Sequence, residues 1–175
     1  MKTIRIELST KGIEDALSSL EDLKKRLKLH NAEFLERMGE MGVEIASEKF
    51  SSAIYDGYND VEVHREPRSD DSVAIVADGN ATLFIEFGSG ITYPDSHPEA
   101  AELGMKHGDY GYHLGRNPGG WRYTGFPGTN GEEIKEGPHA GEIHTYGNPA
   151  NMCMYLTVND LERESPDIAT RAFVK

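Results

Sequence analysis

Cysteine is almost missing from this chain, which has one, Cys153, among its 175 residues. A single cysteine excludes an intrachain disulfide and a multi-cysteine zinc site, which suits a chain that folds in a reducing cytoplasm. We expect Cys153 to be a small buried apolar side chain. Long apolar runs are missing as well, and none approaches the roughly 20 residues that a transmembrane helix needs. No membrane span is therefore predicted.

Positive charge is also scarce. The 18 lysines and arginines stand against 30 aspartates and glutamates, which gives a formal net charge of −12. An acidic surface repels phosphate groups, so this balance disfavours sequence-independent DNA binding. The length suits one domain with a real core. We treat residues 1–175 as a single domain in which 1–91 and 146–175 form a packed core and 92–145 form a long insertion.

The apolar pattern of the first third predicts one strand and two helices. Residues 3–8 alternate apolar and charged side chains with the period of a half-buried strand. From Gly12 to about Leu29, apolar residues recur at three and four positions, as they do on the buried face of a helix. Asn31 is a suitable N-cap for a second helix running to about Tyr55. We expect the apolar stripes of both helices to face the core.

Further strands and helices are predicted outside the insertion. Alternation at 61–64 and 73–77 predicts an antiparallel hairpin, whereas residues 81–87 are compatible with either a strand or a short helix. Asn148-Pro149 and Ser165-Pro166 each combine a capping residue with a proline suited to a first helical position. These pairs predict two C-terminal helices. The predicted fold class is α+β, with a small antiparallel sheet packed against two long helices.

Residues 92–145 lack sustained periodicity and are rich in glycine and histidine. Fourteen of the 19 glycines lie between positions 88 and 147. Loops of this length are uncommon in compact domains unless they bind a partner or are mobile. The region also holds five of the seven histidines, at positions 97, 107, 113, 139 and 144. A metal-dependent hydrolase using these histidines is therefore one alternative function, although their spacing matches no metal-binding motif.

No catalytic or cofactor-binding motif is present. The sequence has no Gly-x-Ser-x-Gly nucleophile elbow and no glycine-rich phosphate loop. Glu86 lies between Ile85 and Phe87 and could act as a general acid, but no second carboxylate is placed beside it by local spacing. A structural hydrogen bond or ion pair is the favoured role for Glu86. We predict no catalytic residue, no metal and no cofactor.

Aromatic residues cluster inside the insertion, at Trp121, Tyr123 and Phe126, with Tyr110 and Tyr112 before them. Aromatic side chains are enriched at protein interfaces, so protein contact is the first interpretation of this cluster. Anchoring of the loop is the second interpretation. Carbohydrate stacking is the third.

Two segments resemble a known family. Leu83-Phe84-Ile85-Glu86-Phe87-Gly88-Ser89-Gly90 resembles a stretch found in the head-tail connector and tail-completion ("tail component") family of long-tailed bacteriophages. Thr145 to Tyr155, which contains Gly147, Pro149 and Met154, resembles the family segment that opens the last helices. In this segment Cys153 departs from the phenylalanine usual in the family. Trp121 resembles a tryptophan that the family often has between the two segments.

The resemblance implies a non-enzymatic protein of phage or prophage morphogenesis. Such a protein would form an oligomeric ring, contact neighbouring neck or tail proteins, assemble in the bacterial cytoplasm and remain in the virion. DNA would pass through the ring without specific binding. The residues that the resemblance marks for interaction are Glu86, Phe87, Gly88, Gly90, Trp121, Gly147, Pro149 and Met154. A small phage-encoded protein that binds a host protein is a further alternative.

Overall fold

The computed structural model describes residues 9–90, 96–105 and 119–174. The α+β class is confirmed. The elements in chain order are α1 (Thr10–Ser51), β1 (Glu62–Ser69), β2 (Ser72–Asp78), α2 (Thr82–Phe87), β3 (Trp121–Tyr123), β4 (Glu132–Glu133), β5 (Ile143–Thr145) and α3 (Cys153–Phe173). The strand predicted at residues 3–8 lies outside the described residues. Within the described ranges, no helix combines the length and apolarity needed to cross a membrane.

The predicted break between two N-terminal helices is wrong, because α1 is one helix of 42 residues. Its N-cap is Ser9, whose hydroxyl accepts a hydrogen bond from the Gly12 N–H at 3.1 Å. Asn31 lies inside the helix rather than capping a second one. Asparagine costs a helix interior only about 0.7 kcal/mol relative to alanine, which is too little to interrupt a long helix. Its side chain instead donates to Asp71 at 3.3 Å.

The two halves of α1 differ in burial. The second half packs against the β1–β2 hairpin and α3, and it buries Gly39, Gly42, Ala46 and Phe50. The first half is mostly exposed, so the expectation that its apolar stripe faces the core is wrong. Leu20, in the middle of that stripe, remains 48% exposed. Periodicity identifies an apolar face of a helix but not whether the same chain covers it.

The predicted hairpin is confirmed. β1 and β2 pair antiparallel with Val63 opposite Ala77 and Arg65 opposite Ile75. The strand β1 extends further than its composition suggests, through Pro67 to Ser69. An edge strand tolerates this proline because one side of it needs no partner for the missing N–H.

The C-terminal helix differs from its prediction at both proline pairs. α3 begins at Cys153, not at Asn148-Pro149, and it runs through Pro166 without a second start. A proline inside a helix leaves the carbonyl four residues earlier without its usual N–H donor. Here that carbonyl belongs to Glu162, and the Ser165 hydroxyl donates to it at 2.9 Å. The serine therefore repairs the bond that the proline removes.

The main core cluster lies where α1, α2 and α3 meet, and it contains Phe50, Ala81, Ile85 and Cys153. Cys153 is buried as predicted, with 1% of its surface exposed. Burial raises the pKa of its thiol to about 12, so the thiol is protonated and unreactive at neutral pH.

Part of the predicted irregular insertion is regular. Residues 121–145 contain a three-stranded antiparallel sheet in the order β3-β5-β4. Its strands are two or three residues long, which is too short for a period of two to be visible in the sequence. The prediction of an irregular segment is therefore wrong for this part, and residues 91–95 and 106–118 lie outside the described residues.

Candidate functional site

The two segments that carry the family resemblance lie against each other, although about 60 residues separate them. The Ser89 N–H donates to the Asn148 carbonyl at 2.9 Å, and the Ser89 hydroxyl donates to the Asn148 side chain at 2.6 Å. The Asn151 N–H donates to the Ile85 carbonyl at 2.9 Å. We call this contact between residues 85–90 and 145–155 the segment junction.

Glu86 is the central side chain of the segment junction, and it is 5% exposed. Its carboxylate accepts hydrogen bonds from the backbone N–H groups of Met154 at 2.8 Å and Tyr155 at 3.1 Å. These N–H groups belong to the first turn of α3, where Met152 at the N-cap position provides no side-chain bond. A carboxylate at a helix N-terminus satisfies unpaired donors and interacts favourably with the helix dipole. Glu86 therefore caps α3 from outside the helix.

His97 completes the surroundings of Glu86. Its Nε2 lies 3.2 Å from the carboxylate, and the His97 side chain is almost fully buried. Its ring also packs against Phe87, with the ring centres 4.4 Å apart and the planes tilted by 43°, and it makes an edge contact with Tyr155 at 5.7 Å. The Glu86 carboxylate is thus occupied by two helix N–H groups and one histidine, as the structural interpretation of this residue predicts.

Glycines allow the segment junction to close. Gly88 has a φ of +80°, and a Cβ built on it would lie 2.6 Å from the backbone nitrogen of Ala150. Gly90 has a φ of +70°, and its Cβ would lie 3.0 Å from the Trp121 ring. Gly147 has a φ of +87° and faces the Ser89 carbonyl. Only glycine combines this backbone conformation with such close approach.

Pro149 and Met154 are the last two of the eight residues that the family resemblance marks. The Pro149 carbonyl accepts from the side-chain amides of Asn148 and Asn151, at 3.1 and 3.2 Å. Asn148 therefore organises a loop instead of capping a helix, which is why α3 begins later than predicted. Met154 is half-buried and packs on the core cluster with Phe50. The structure thus places seven of the eight marked residues in the segment junction and brings the eighth, Trp121, into contact with it at Gly90.

An aromatic groove of about 470 Å³ lies beside the segment junction. Its aromatic lining consists of Tyr55, Tyr58, Phe84, Trp121, Tyr123 and Phe126. Tyr58 is 77% exposed and Phe126 is 63% exposed. The sequence identified the members on β3 and after it, but it missed Tyr55 and Tyr58, which reach the groove from the connection between α1 and β1.

Asp56 holds the two sides of this groove together. It accepts hydrogen bonds from the Thr145 hydroxyl and from the Asn130 N–H, the latter at 2.6 Å. The Tyr123 hydroxyl donates to the Phe126 carbonyl at 2.8 Å. Burial, and to a lesser degree the negative charge of Asp56, raises the pKa of Tyr123 to about 12. The phenol therefore stays protonated at neutral pH and continues to donate.

The histidines do not form a metal site among the described residues. His97 is held by Glu86, His139 lies 3.2 Å from Glu142, and His144 lies 2.9 Å from the Gly119 carbonyl. Among residues 9–90, 96–105 and 119–174, no group of three or more His, Cys, Asp or Glu side chains could hold a metal ion. His107 and His113 lie outside these ranges.

The exposed face of the first half of α1 is a second candidate surface. Five large apolar side chains there are 39% to 57% exposed, and we call them the α1 leucine face: Ile13, Leu17, Leu20, Leu23 and Leu27. The sequence identified the stripe but assigned it to the core.

In comparisons with known proteins, no family model, no curated protein and no solved structure matches this chain.

Proposed function

We propose that this chain is a non-enzymatic morphogenesis protein of a long-tailed phage or prophage, a head-tail connector or tail-completion component that assembles into a ring. The observation that carries the proposal is the segment junction. The two segments chosen by resemblance alone, one ending at Gly90 and the other beginning at Thr145, are joined by hydrogen bonds into one unit.

The chemistry of the segment junction favours a scaffold over an active site. The Glu86 carboxylate caps a helix, and the glycines allow backbone segments to approach closely. The neighbouring Cys153 thiol is buried and protonated. Nucleophilic catalysis needs an ionised or base-activated nucleophile, and a thiol in this state is neither.

The surface supports contacts with other proteins. The α1 leucine face and the aromatic groove expose apolar and aromatic side chains of the kind that protein interfaces bury. The net charge of −12 is compatible with a ring through which DNA passes without being held. Copies of the same chain and the neighbouring neck or tail proteins are the proposed partners.

Deletion of the coding sequence from its phage or prophage tests this proposal. We expect electron micrographs of the lysate to contain separate heads and tails, or incomplete tails, and joined particles to return when the wild-type chain is supplied in trans. The variant Gly104→Ala should restore joining, because a Cβ there meets no atom of the described residues within 4 Å. Normal joined particles without the protein would overturn the proposal.

A further inference from the structure

The β1–β2 hairpin leaves the outer edge of β2 open. Pro67 has no N–H and lies opposite Val73, so this pair does not exchange backbone hydrogen bonds. Bonded and non-bonded pairs alternate along an antiparallel ladder, so the N–H and C=O groups of Val73, Ile75 and Ala77 point away from β1. Among the described residues, no further strand pairs with this edge.

The two outer edges of the hairpin differ in composition. β1 contains Pro67 and several charged side chains. Such residues keep an exposed strand edge from pairing with other strands. Between Ser72 and Asp78, β2 contains neither proline nor charge, and its valines and isoleucine favour strand pairing. We therefore expect the edge of β2 to be covered by another strand when the protein is assembled.

A groove of about 670 Å³ lies beside this edge, between β2, α2 and α3. The large apolar side chains of its lining include three that are 37% to 53% exposed: Leu83, Leu103 and Val158. A strand that paired with β2 would lie in this groove and cover these side chains. It would need backbone groups for the edge and apolar side chains on one face.

The sequence of residues 3–8 meets both requirements. It predicts a strand in which Ile4, Ile6 and Leu8 share one face. The charges of the segment are Lys2, Arg5 and Glu7, two positive and one negative. The exposed charged side chains of the groove have the opposite balance, one positive and two negative, and they are Arg68, Glu99 and Glu162. This complementarity favours binding of the segment in the groove.

The same copy cannot supply this strand. The end of β2 nearest to the start of α1 is beside Gly39, where a Cβ would lie 3.3 Å from the Val73 side chain. Between Thr10 and Gly39, α1 rises by about 44 Å at 1.5 Å per residue. The chain from Thr10 back to Thr3 spans at most about 25 Å when fully extended. Residues 3–8 can therefore reach the edge of β2 only in another copy.

We propose that residues 3–8 of one copy add as a strand to the free edge of β2 in a second copy. The inference rests on the self-association proposed above and assigns it to a donated strand. The donated strand and the accepting edge are different parts of the chain, so each copy can donate to one neighbour and accept from another. Contacts of this head-to-tail kind close into rings when the rotation between copies allows it.

Amide hydrogen exchange of the full chain tests the pairing residue by residue. At concentrations where the chain is single, we expect Ala74 and Val76 to be protected by β1, while Val73, Ile75 and Ala77 exchange rapidly. Association should slow exchange at these three edge amides by at least about 100-fold. Edge amides that exchange equally fast in both states would overturn the inference. Edge amides already protected in the single chain would overturn it as well.

Sedimentation velocity of two variants of the full chain tests the donor. Ile6→Asp places a carboxylate on the apolar face of the donated strand, so it should raise the dissociation constant by at least about 100-fold. Thr3→Asp is the matched control, because it adds the same charge to the opposite face and should change the constant by less than about tenfold. Circular dichroism of both variants should equal that of the wild type.

Three results of sedimentation would overturn the inference. The first is a wild type that stays a single chain at all concentrations, and the second is an Ile6→Asp variant that associates as tightly as Thr3→Asp. The third is association of Ile6→Asp with its edge amides still protected, which would mean that β2 pairs with a different strand. None of these results decides the proposed function, because joining of heads and tails in the deletion experiment is measured separately.

Discussion

Gly88 must be glycine for two separate reasons, a left-handed backbone conformation and a close backbone contact. Its φ of +80° lies in the left-handed region, and its α-carbon lies against the backbone of Pro149 and Ala150. Gly104 has a similar φ of +70°, but a Cβ built on it meets nothing within 4 Å in the part of the chain that the structure describes. The two glycines therefore separate the cost of backbone conformation from the cost of close packing.

We predict that Gly104→Ala lowers the free energy of unfolding by about 1 kcal/mol, which is the cost of a left-handed alanine. Gly88→Ala should lower it by clearly more, about 2 to 4 kcal/mol, because the added methyl also displaces buried backbone. Urea denaturation of both variants measures the difference. If both variants lost the same unfolding free energy, the close backbone contact at Gly88 would add nothing to the cost of its left-handed conformation.

Glu86 caps α3 through both carboxylate oxygens, so its charge and its shape can be tested together. The Glu86 carboxylate now binds three donors: the N–H groups of Met154 and Tyr155 and the ring of His97. In Glu86→Gln, the NH2 group of the new amide points at one or more of these donors and cannot accept from them. We predict a loss of about 1 to 3 kcal/mol with unfolding still cooperative. Glu102→Gln is the control, because Glu102 is exposed. A thermal midpoint for Glu86→Gln equal to that of the control would show that the cap contributes nothing.

At the level of elements, the N-termini of α2 and α3 both depend on a carboxylate from another part of the chain. Glu86 caps α3, and Asp60 accepts hydrogen bonds from the Asn80 and Ala81 N–H groups where α2 begins. The hydrogen bond from Ala81, followed by that from Asn80, lowers the pKa of Asp60. Neither helix has a capping side chain at its own N-cap position.

This lowered pKa predicts a pH dependence. Because the folded pKa of Asp60 lies below the ordinary value, its stabilisation is complete above about pH 4 and disappears as the pH falls through the folded pKa. We predict that Asp60→Asn costs about 1 kcal/mol at neutral pH, because both Asp60 oxygens accept hydrogen bonds and the amide of asparagine can accept with only one. The gap between variant and wild type should close in acid. A gap that is constant from neutral pH to the acid limit of folding would contradict this assignment.

Two glycines inside α1 make different contacts and should respond differently to alanine. A Cβ at Gly42 would collide with the Ile75 side chain and approach Leu161 at 3.1 Å, whereas one at Gly39 meets mainly the flexible Arg65. Alanine raises helix stability by about 1 kcal/mol at either position. We predict that Gly39→Ala is neutral or stabilising and that Gly42→Ala loses about 1 to 3 kcal/mol. Unfolding midpoints in urea in the opposite order would mean that α1 does not pack on the hairpin at Gly42.

Elements with a local signal could be predicted from the sequence, and elements set by tertiary contacts could not. The hairpin at 61–77 follows from alternation and a polar turn. The start of α3 depends on Asn148 binding the Phe84 carbonyl, 64 residues away, so no local pattern reveals it. The same reason explains the site: the sequence marked Glu86 and Trp121, but Tyr55 and Tyr58 reach the groove only through the fold.

At the scale of the whole molecule, a packed centre carries two surfaces of different character. The segment junction joins the end of α2 to the start of α3, while the α1 leucine face and the aromatic groove remain available to partners. This arrangement is what an assembly protein requires, since a rigid centre fixes the positions of its contact surfaces. A protein with this role is part of the finished particle.

Locating the chain in purified, intact phage particles tests that claim most directly. Quantitative mass spectrometry should find it at a fixed number of copies per particle, in the range of a single ring and far below that of the major capsid protein. Gold-labelled antibody should bind at the joint between head and tail or at the end of the tail. Absence of the chain from joined, infectious particles, or label spread over the whole capsid, would contradict the account.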